Sequence, residues 1–266
     1  NARGGALGDC LAAVLDKAGY NAWREFYVND AGNQIEKFGC SLEARYLQIF
    51  KGDEIEFPED GYQGEDIKDL AKEYADLNGD SLVNVSAEER KKALVDYALP
   101  KNIKKMQADM EKYKIFYDKW FFESELHKSG AVKAVVDLLT KKGLTYEKDG
   151  AVWYKNKEVL TQKLLKEGKS QKYIDNLELK DDVLIRQNGN PTYFTADIAY
   201  HKNKFDRGFT TLIDVWGADH HGHVMRMKGA MDAIGYDGDK LNVVLMQLVK
   251  LVKDGELVKM SKRTGK

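Results

Sequence analysis

The chain has 266 residues, with 42 Lys and Arg against 43 Asp and Glu and a net charge of -1, a balance that excludes gripping nucleic acid by bulk charge but leaves local basic surfaces open. With 43% hydrophobic and 32% charged residues, and no apolar run near the roughly 20 residues a membrane span needs, the composition is that of an ordinary soluble globular protein. The length lies between one large domain and two, and the first residues do not read as a signal peptide.

Residues 1 to 18 read as a helix, with Leu7, Leu11, Val14, Leu15 and Ala18 on one stripe and Gly19 as its stop. Glycines at a helix start usually serve a strand-to-helix turn near a ligand, so this abrupt opening predicts a chain cut from something longer. Trp23 to Val28 reads as a strand. Asn29 and Asp30 in the following turn either face a site at a strand end or are plain turn chemistry. A helix follows with Ile35, Phe38, Leu42, Tyr46 and Ile49 inward, then an irregular acidic stretch, then a helix carrying Ile67, Leu70, Ala71 and Tyr74. Ser86 and Glu89 form a capping box for a helix expected to end near Pro100, with another from Asn102 into Trp120. The lysines between 101 and 114 alternate with Asp109 and Glu111 and read as a solvated face. Cys10 and Cys40 lack metal-type spacing and read as reduced core thiols of a cytosolic protein.

In the aromatic run from Phe116 to Phe122, Glu123 follows at once. A carboxylate there should be partly desolvated and paired, either with a Lys or Arg of the chain or with a cationic ligand. Val132, Val135, Val136 and Leu139 mark a helix stopped at Gly143, and Leu144 to Tyr154 a hairpin closed by Asp149-Gly150. Residues 155 to 180 are lysine-rich and read as a peripheral insertion. A second hairpin is predicted from Val183-Arg186 and Thr192-Phe194 around Asn188-Gly189. If the chain turns helical after it, Tyr193 and Asp197 share a face, and the pair suits a guanidinium: the carboxylate accepts two parallel N-H bonds while the phenol adds a contact and a wall.

Thr210 to Val215 reads as a buried strand, and Trp216-Gly217-Ala218-Asp219-His220-His221-Gly222-His223 follows it. This cluster ligates a metal, as in an Asp-His-His phosphohydrolase, holds a nucleotide, or is an exposed strand-end turn with incidental histidines. In the second reading Gly217 lets the nucleotide approach the backbone, Asp219 accepts ribose hydroxyls, and His220, His221 and His223 line base and amino-acid pockets. The nucleotide is favoured, since no further ligand motif accompanies the cluster. After a helix with Val224, Met227, Met231 and Ile234, the run from Leu241 to Leu248 reads as a parallel strand, with Gln247 near adenine. A hairpin around Asp254-Gly255 delivers the chain to Lys259-Met260-Ser261-Lys262, where two ammonium groups flank a hydroxyl and can close over a triphosphate.

Six segments resemble the arginyl-tRNA synthetases, a class I family: Asn1-Ala2-Arg3-Gly4, residues 27 to 35, the aromatic-Glu123-Ser124 segment, Tyr193 to Tyr200, Trp216 to Gly222, and the lysine loop. The resemblance implies an α/β fold, a Rossmann-type parallel sheet of the HUP-like nucleotidyl-transfer kind with a mostly helical connective insertion. Its two halves would be residues 1-75 and 181-266, with 76-180 inserted. It implies arginine activation by ATP and transfer to tRNA(Arg). Lys259 and Lys262 would be catalytic, and Ser261 would join them on ATP with Gly217, Asp219, His220, His223 and Gln247. Asn1, Glu123, Tyr193, Asp197 and His221 would bind arginine. Magnesium would accompany ATP as substrate, with no tightly bound cofactor and no metal cage of protein ligands. The partners implied are arginine, ATP and the acceptor end of the tRNA, in a monomeric, cytoplasmic parent with no membrane attachment. Asn1 would end the family's first signature, whose histidine is missing, and no anticodon-binding domain follows, so the 266 residues alone are expected to be nearly inactive. The alternatives are the phosphohydrolase or a non-catalytic synthetase-like binding module.

Overall fold

The computed structural model describes residues 2–247 and 249–258. Its chain forms two compact units, one up to Trp120 together with the residues from Val249, the other from Phe121 to Leu248.

The first unit contains α1 (Ala2–Lys17), β1 (Glu25–Val28), α2 (Asn33–Lys51), α3 (Glu65–Asn78) and α4 (Ala87–Lys112). β1 pairs with β2 (Lys119–Phe122), which runs across the boundary between the units. The expected stripes pack α2, α3 and α4 around Phe38, Leu42, Tyr46, Ile67, Leu70, Ala71, Leu94 and Ala98. Buried Tyr46 donates its hydroxyl to the Gly79 carbonyl at 2.8 Å and accepts from the Leu82 amide at 3.1 Å. Arg90, also buried, reaches the carbonyls of Leu82 and Val85, each at 2.7 Å, and Glu43 at 2.7 Å. The loop between α3 and α4 is thus stapled from both sides.

Ser86 caps α4 as predicted, accepting from the Glu89 amide at 3.2 Å. The break at Pro100 does not occur: one helix runs through it to Lys112, and no second helix reaches Trp120. Proline in a helix interior removes one backbone bond and crowds the preceding turn, a cost of about 3 kcal/mol. Burial of Leu94 and Ala98 before it and Met110 after it offsets that cost. Lys114, at φ 59°, then turns the chain toward β2. Cys10 is exposed and Cys40 partly buried, so the expectation of two core thiols fails for Cys10, which sits on α1, a helix whose stripe residue Val14 is itself 67% exposed.

The second unit begins with α5 (Glu123–Lys128) and α6 (Ala131–Lys141), followed by β3 (Thr145–Lys148), β4 (Ala151–Tyr154), α7 (Asn156–Lys166), α8 (Gln171–Asp175) and β5 (Asp182–Ile185). β3, β4 and β5 form an antiparallel sheet, and Asp149 at φ 53° with Gly150 at φ 72° closes the predicted β3–β4 hairpin. The lysine-rich stretch after it is no loose appendage. Leu160 and Leu164 of α7 are buried, and a β-carbon at Gly229 would stand 2.6 Å from Leu160.

α9 (Tyr193–Asp206), β6 (Leu212–Gly217), α10 (His221–Ile234) and β7 (Leu241–Met246) complete the unit. β6 and β7 are parallel, in register from Leu212 opposite Leu241 to Gly217 opposite Met246. Met227, Met231 and Ile234 of α10 are buried as the pattern predicts, and Gly235 at φ 104° ends that helix. The chain is therefore α/β with a parallel pair, built from helices and short strands. β8 (Leu251–Lys253) and β9 (Glu256–Val258) form the last predicted hairpin, turned by Asp254 and Gly255 at φ 53° and 82°.

Candidate active site on α9 and the parallel strand ends

The hairpin predicted before α9 is reduced to a single bridge, Ile185 with Pro191. Tyr193 and Phe194 are helical instead of strand, because the Thr192 and Thr195 hydroxyls donate to the Val183 and Leu184 carbonyls at 2.7 and 2.8 Å and dock the helix start on β5. Helix at this point places Tyr193 and Asp197 one turn apart on a common face. Tyr193 is 45% exposed. The Asp197 side chain is 34% exposed and accepts at Oδ2 from Nε2 of His223 at 3.0 Å.

His223 packs edge-on to Phe194, with ring centroids 5.5 Å apart, and tilts against Trp216 at 5.3 Å. Behind Phe194, Arg226 makes a two-pronged pair with Asp182, its guanidinium 4.9 Å from the Phe194 ring. Burial pushes the Asp182 carboxyl upward, against the pull of Arg226. Asp197 thus presents a carboxylate one helical turn from Tyr193, paired with the His223 ring and about one-third exposed.

A charged group lies beneath it. His201, 2% exposed, is 2.7 Å through Nδ1 from the Asp197 backbone carbonyl and 2.5 Å through Nε2 from Oδ2 of Asp214 on β6. Lys204 donates to Oδ1 of Asp214 at 2.8 Å. Burial disfavours the ionised Asp214 carboxylate, yet Lys204 and His201 outweigh it and hold the group well below the usual range. None of these three was singled out from the sequence. The available signal was an aspartate inside the apolar strand Leu212–Val215, a position where a charge requires partners.

The remaining described candidates other than Glu123 gather at the carboxyl ends of β6 and β7. Gly217 ends β6, Asp219 and His220 form a single 3-10 turn, and exposed His221 opens α10. Gln247, exposed, follows β7 beside them, since Met246 pairs with Gly217. A β-carbon at Gly217 would displace the Asp219 carboxylate, which folds back over it. The Asp219 and His220 side chains are 59% and 60% exposed and 3.8 Å apart. The three histidines do not act as one cluster: His223 turns to Asp197, while His220 and His221 face solvent. Among the described residues, no group of three or more His, Cys, Asp or Glu is placed to hold a metal ion.

Glu123 opens α5 and is 3% exposed, with Oε1 3.5 Å from Nε2 of His127. It is desolvated and has a partner within its own helix. Asn1, Lys259, Ser261 and Lys262 lie outside the described residues.

No family model matches the sequence. Across its whole length the chain is 57% identical, over 268 aligned residues, to an arginine–tRNA ligase of Ruminiclostridium cellulolyticum, and 58% over 267 to that of Caldanaerobacter subterraneus subsp. tengcongensis. The chain belongs to the arginine–tRNA ligase family. It spans 44% of the length of each of these two relatives. A solved Campylobacter jejuni chain bearing a provisional arginyl-tRNA synthetase name superposes with TM-score 0.79 at 37% identity, over 97% of this chain and 53% of that one. Thermus thermophilus arginyl-tRNA synthetase superposes at 0.59 and 19% identity, a likeness of fold alone. The resemblance carried by the short segments therefore extends to the residues between them, α7 and α8 included.

Proposed function

We propose that this chain is the arginine- and ATP-handling core of an arginine–tRNA ligase, which joins arginine to ATP as an adenylate and passes it to the 3' end of tRNA(Arg). The observation that carries the reading is Asp197: a partly exposed carboxylate one helical turn from Tyr193, backed by His223, Phe194 and Trp216, in a chain of this family. A planar guanidinium can donate two parallel bonds to such a carboxylate and lie along the phenol, whereas an ammonium offers no fork. Arginine is thereby favoured over lysine by acceptors that lysine would leave unpaired.

Gly217, Asp219 and Gln247 at the ends of two parallel strands suit a nucleotide, in the crevice where a Rossmann-type sheet collects its ligands. In this reading Asp219 receives the ribose hydroxyls, Gly217 allows close backbone approach and Gln247 meets adenine, while His220 and His221 line the nucleotide and amino-acid sides. Glu123 is a further acceptor for the substrate cation. Lys259, Ser261 and Lys262 hold the phosphates, with magnesium arriving on ATP. Attack of the arginine carboxylate on the α-phosphate then needs alignment and charge stabilisation more than a protein nucleophile. The parent acts as a cytoplasmic monomer.

A stable arginyl-sulfamoyl adenosine, which joins both halves of the adenylate in one molecule, tests the reading by competition binding. It should bind this chain at least about tenfold more tightly than the lysyl analogue, a margin of roughly 1.4 kcal/mol. Equal binding of the two analogues would remove arginine from the assignment, and no binding of either would remove the adenylate.

A further inference from the structure

We propose that His201 is a positioning residue for arginine recognition, holding the Asp197 turn of α9 at a fixed place against β6; this rests on the reading of Asp197 as the guanidinium acceptor. The contacts form a closed circuit. The His201 ring reaches the backbone carbonyl of Asp197 at 2.7 Å, and its other nitrogen reaches Asp214 at 2.5 Å. Asp214 and Trp216 stand two residues apart on β6 and so share a face of the strand. Trp216 lies edge-on to His201, with centroids 6.3 Å apart, and against His223 at 5.3 Å. His223 closes the circuit on the Asp197 carboxylate at 3.0 Å.

Asp197 is therefore held twice, by backbone through His201 and by side chain through His223. A carbonyl and an ionised carboxylate can only accept, so each of these two contacts needs an N-H from the His201 ring, and the imidazolium form is the one that carries both. Lys204, at 2.8 Å from the second Asp214 oxygen, keeps that carboxylate ionised and fixed when His201 is bonded to it. A misplacement of about 1 Å at a binding group is enough to weaken a geometry-dependent contact severely, and a two-pronged guanidinium bond is such a contact. His201 itself is buried and does not meet the substrate.

The test uses the 266-residue chain with His201→Phe, which keeps an aromatic ring and removes both donors, and His201→Gln, which restores one. Two readouts are taken: arginine affinity by calorimetry, and the imidazole nitrogen signals of His223 in labelled protein without ligand. The expected result is a folded His201→Phe chain whose His223 signals move and whose arginine affinity falls about tenfold, with His201→Gln between it and the parent. A folded variant with His223 signals and arginine affinity both unchanged overturns the proposal. Should His201→Phe not fold, the same comparison on His201→Gln decides. If the parent binds no arginine, the guanidinium reading falls, while the His223 signals still decide whether His201 positions the Asp197 turn.

Discussion

Replacing Asp214 with alanine is expected to lower the unfolding free energy by about 3–5 kcal/mol, the range found when one member of a buried charged set is removed. Its side chain is only 10% exposed, and its two oxygens take His201 and Lys204 separately. Alanine would leave Lys204, 12% exposed, and His201, 3% exposed at its side chain, without their acceptor. Denaturant unfolding followed by circular dichroism at pH 7 measures the loss; a change under about 1 kcal/mol, the scale of an exposed pair, would show that the set is effectively solvated. The same group predicts a pH dependence. Burial works against the Asp214 carboxylate, but Lys204 and His201 prevail and depress its proton affinity below that of the unfolded chain. A group depressed in the folded state contributes fully above its unfolded value, near pH 4, and loses that contribution as pH falls further. The parent should therefore lose stability more steeply below pH 4 than Asp214→Asn does.

Asp197→Asn is expected to weaken arginine binding by about 100-fold, or about 2.8 kcal/mol at 1.4 kcal/mol per decade, while leaving the fold intact. The amide keeps the size of the side chain and one oxygen, so the bond accepted from His223 survives. It loses the charge, and it presents an N-H where a guanidinium needs an acceptor. Calorimetric titration with arginine, lysine and citrulline separates these effects. Arginine alone should bind the parent well, because lysine lacks the fork and citrulline lacks the charge. Retention of arginine affinity by a folded Asp197→Asn chain would move the guanidinium to another acceptor, with Glu123 the first alternative.

Much of the geometry of this candidate site was legible in the sequence because its residues are close in the chain. Tyr193 and Asp197 needed only a helix to share a face, and the Thr192 and Thr195 bonds to β5 supply that helix where strand propensity pointed the other way. The parallel pair β6–β7 and the turns at Gly143, Asp149-Gly150 and Asp254-Gly255 follow from apolar runs and turn residues that act locally. What stayed hidden depends on distant partners. Continuation of α4 through Pro100 is decided by burial on both sides of the proline, which no local propensity carries. The turn of His223 toward Asp197, away from His220 and His221, needs α9 and α10 side by side. The His201–Asp214–Lys204 set joins a helix to a strand, and only the unexplained aspartate in β6 hinted at it.

The most direct test of the account is an isotope-filtered NOE spectrum of the chain with 13C-labelled arginine bound. Contacts from the arginine δ-methylene protons to the rings of Tyr193 and Trp216, present with the parent and gone with Asp197→Asn, are the predicted result. Bound arginine whose δ protons touch neither ring would place the guanidinium elsewhere and contradict the site on α9.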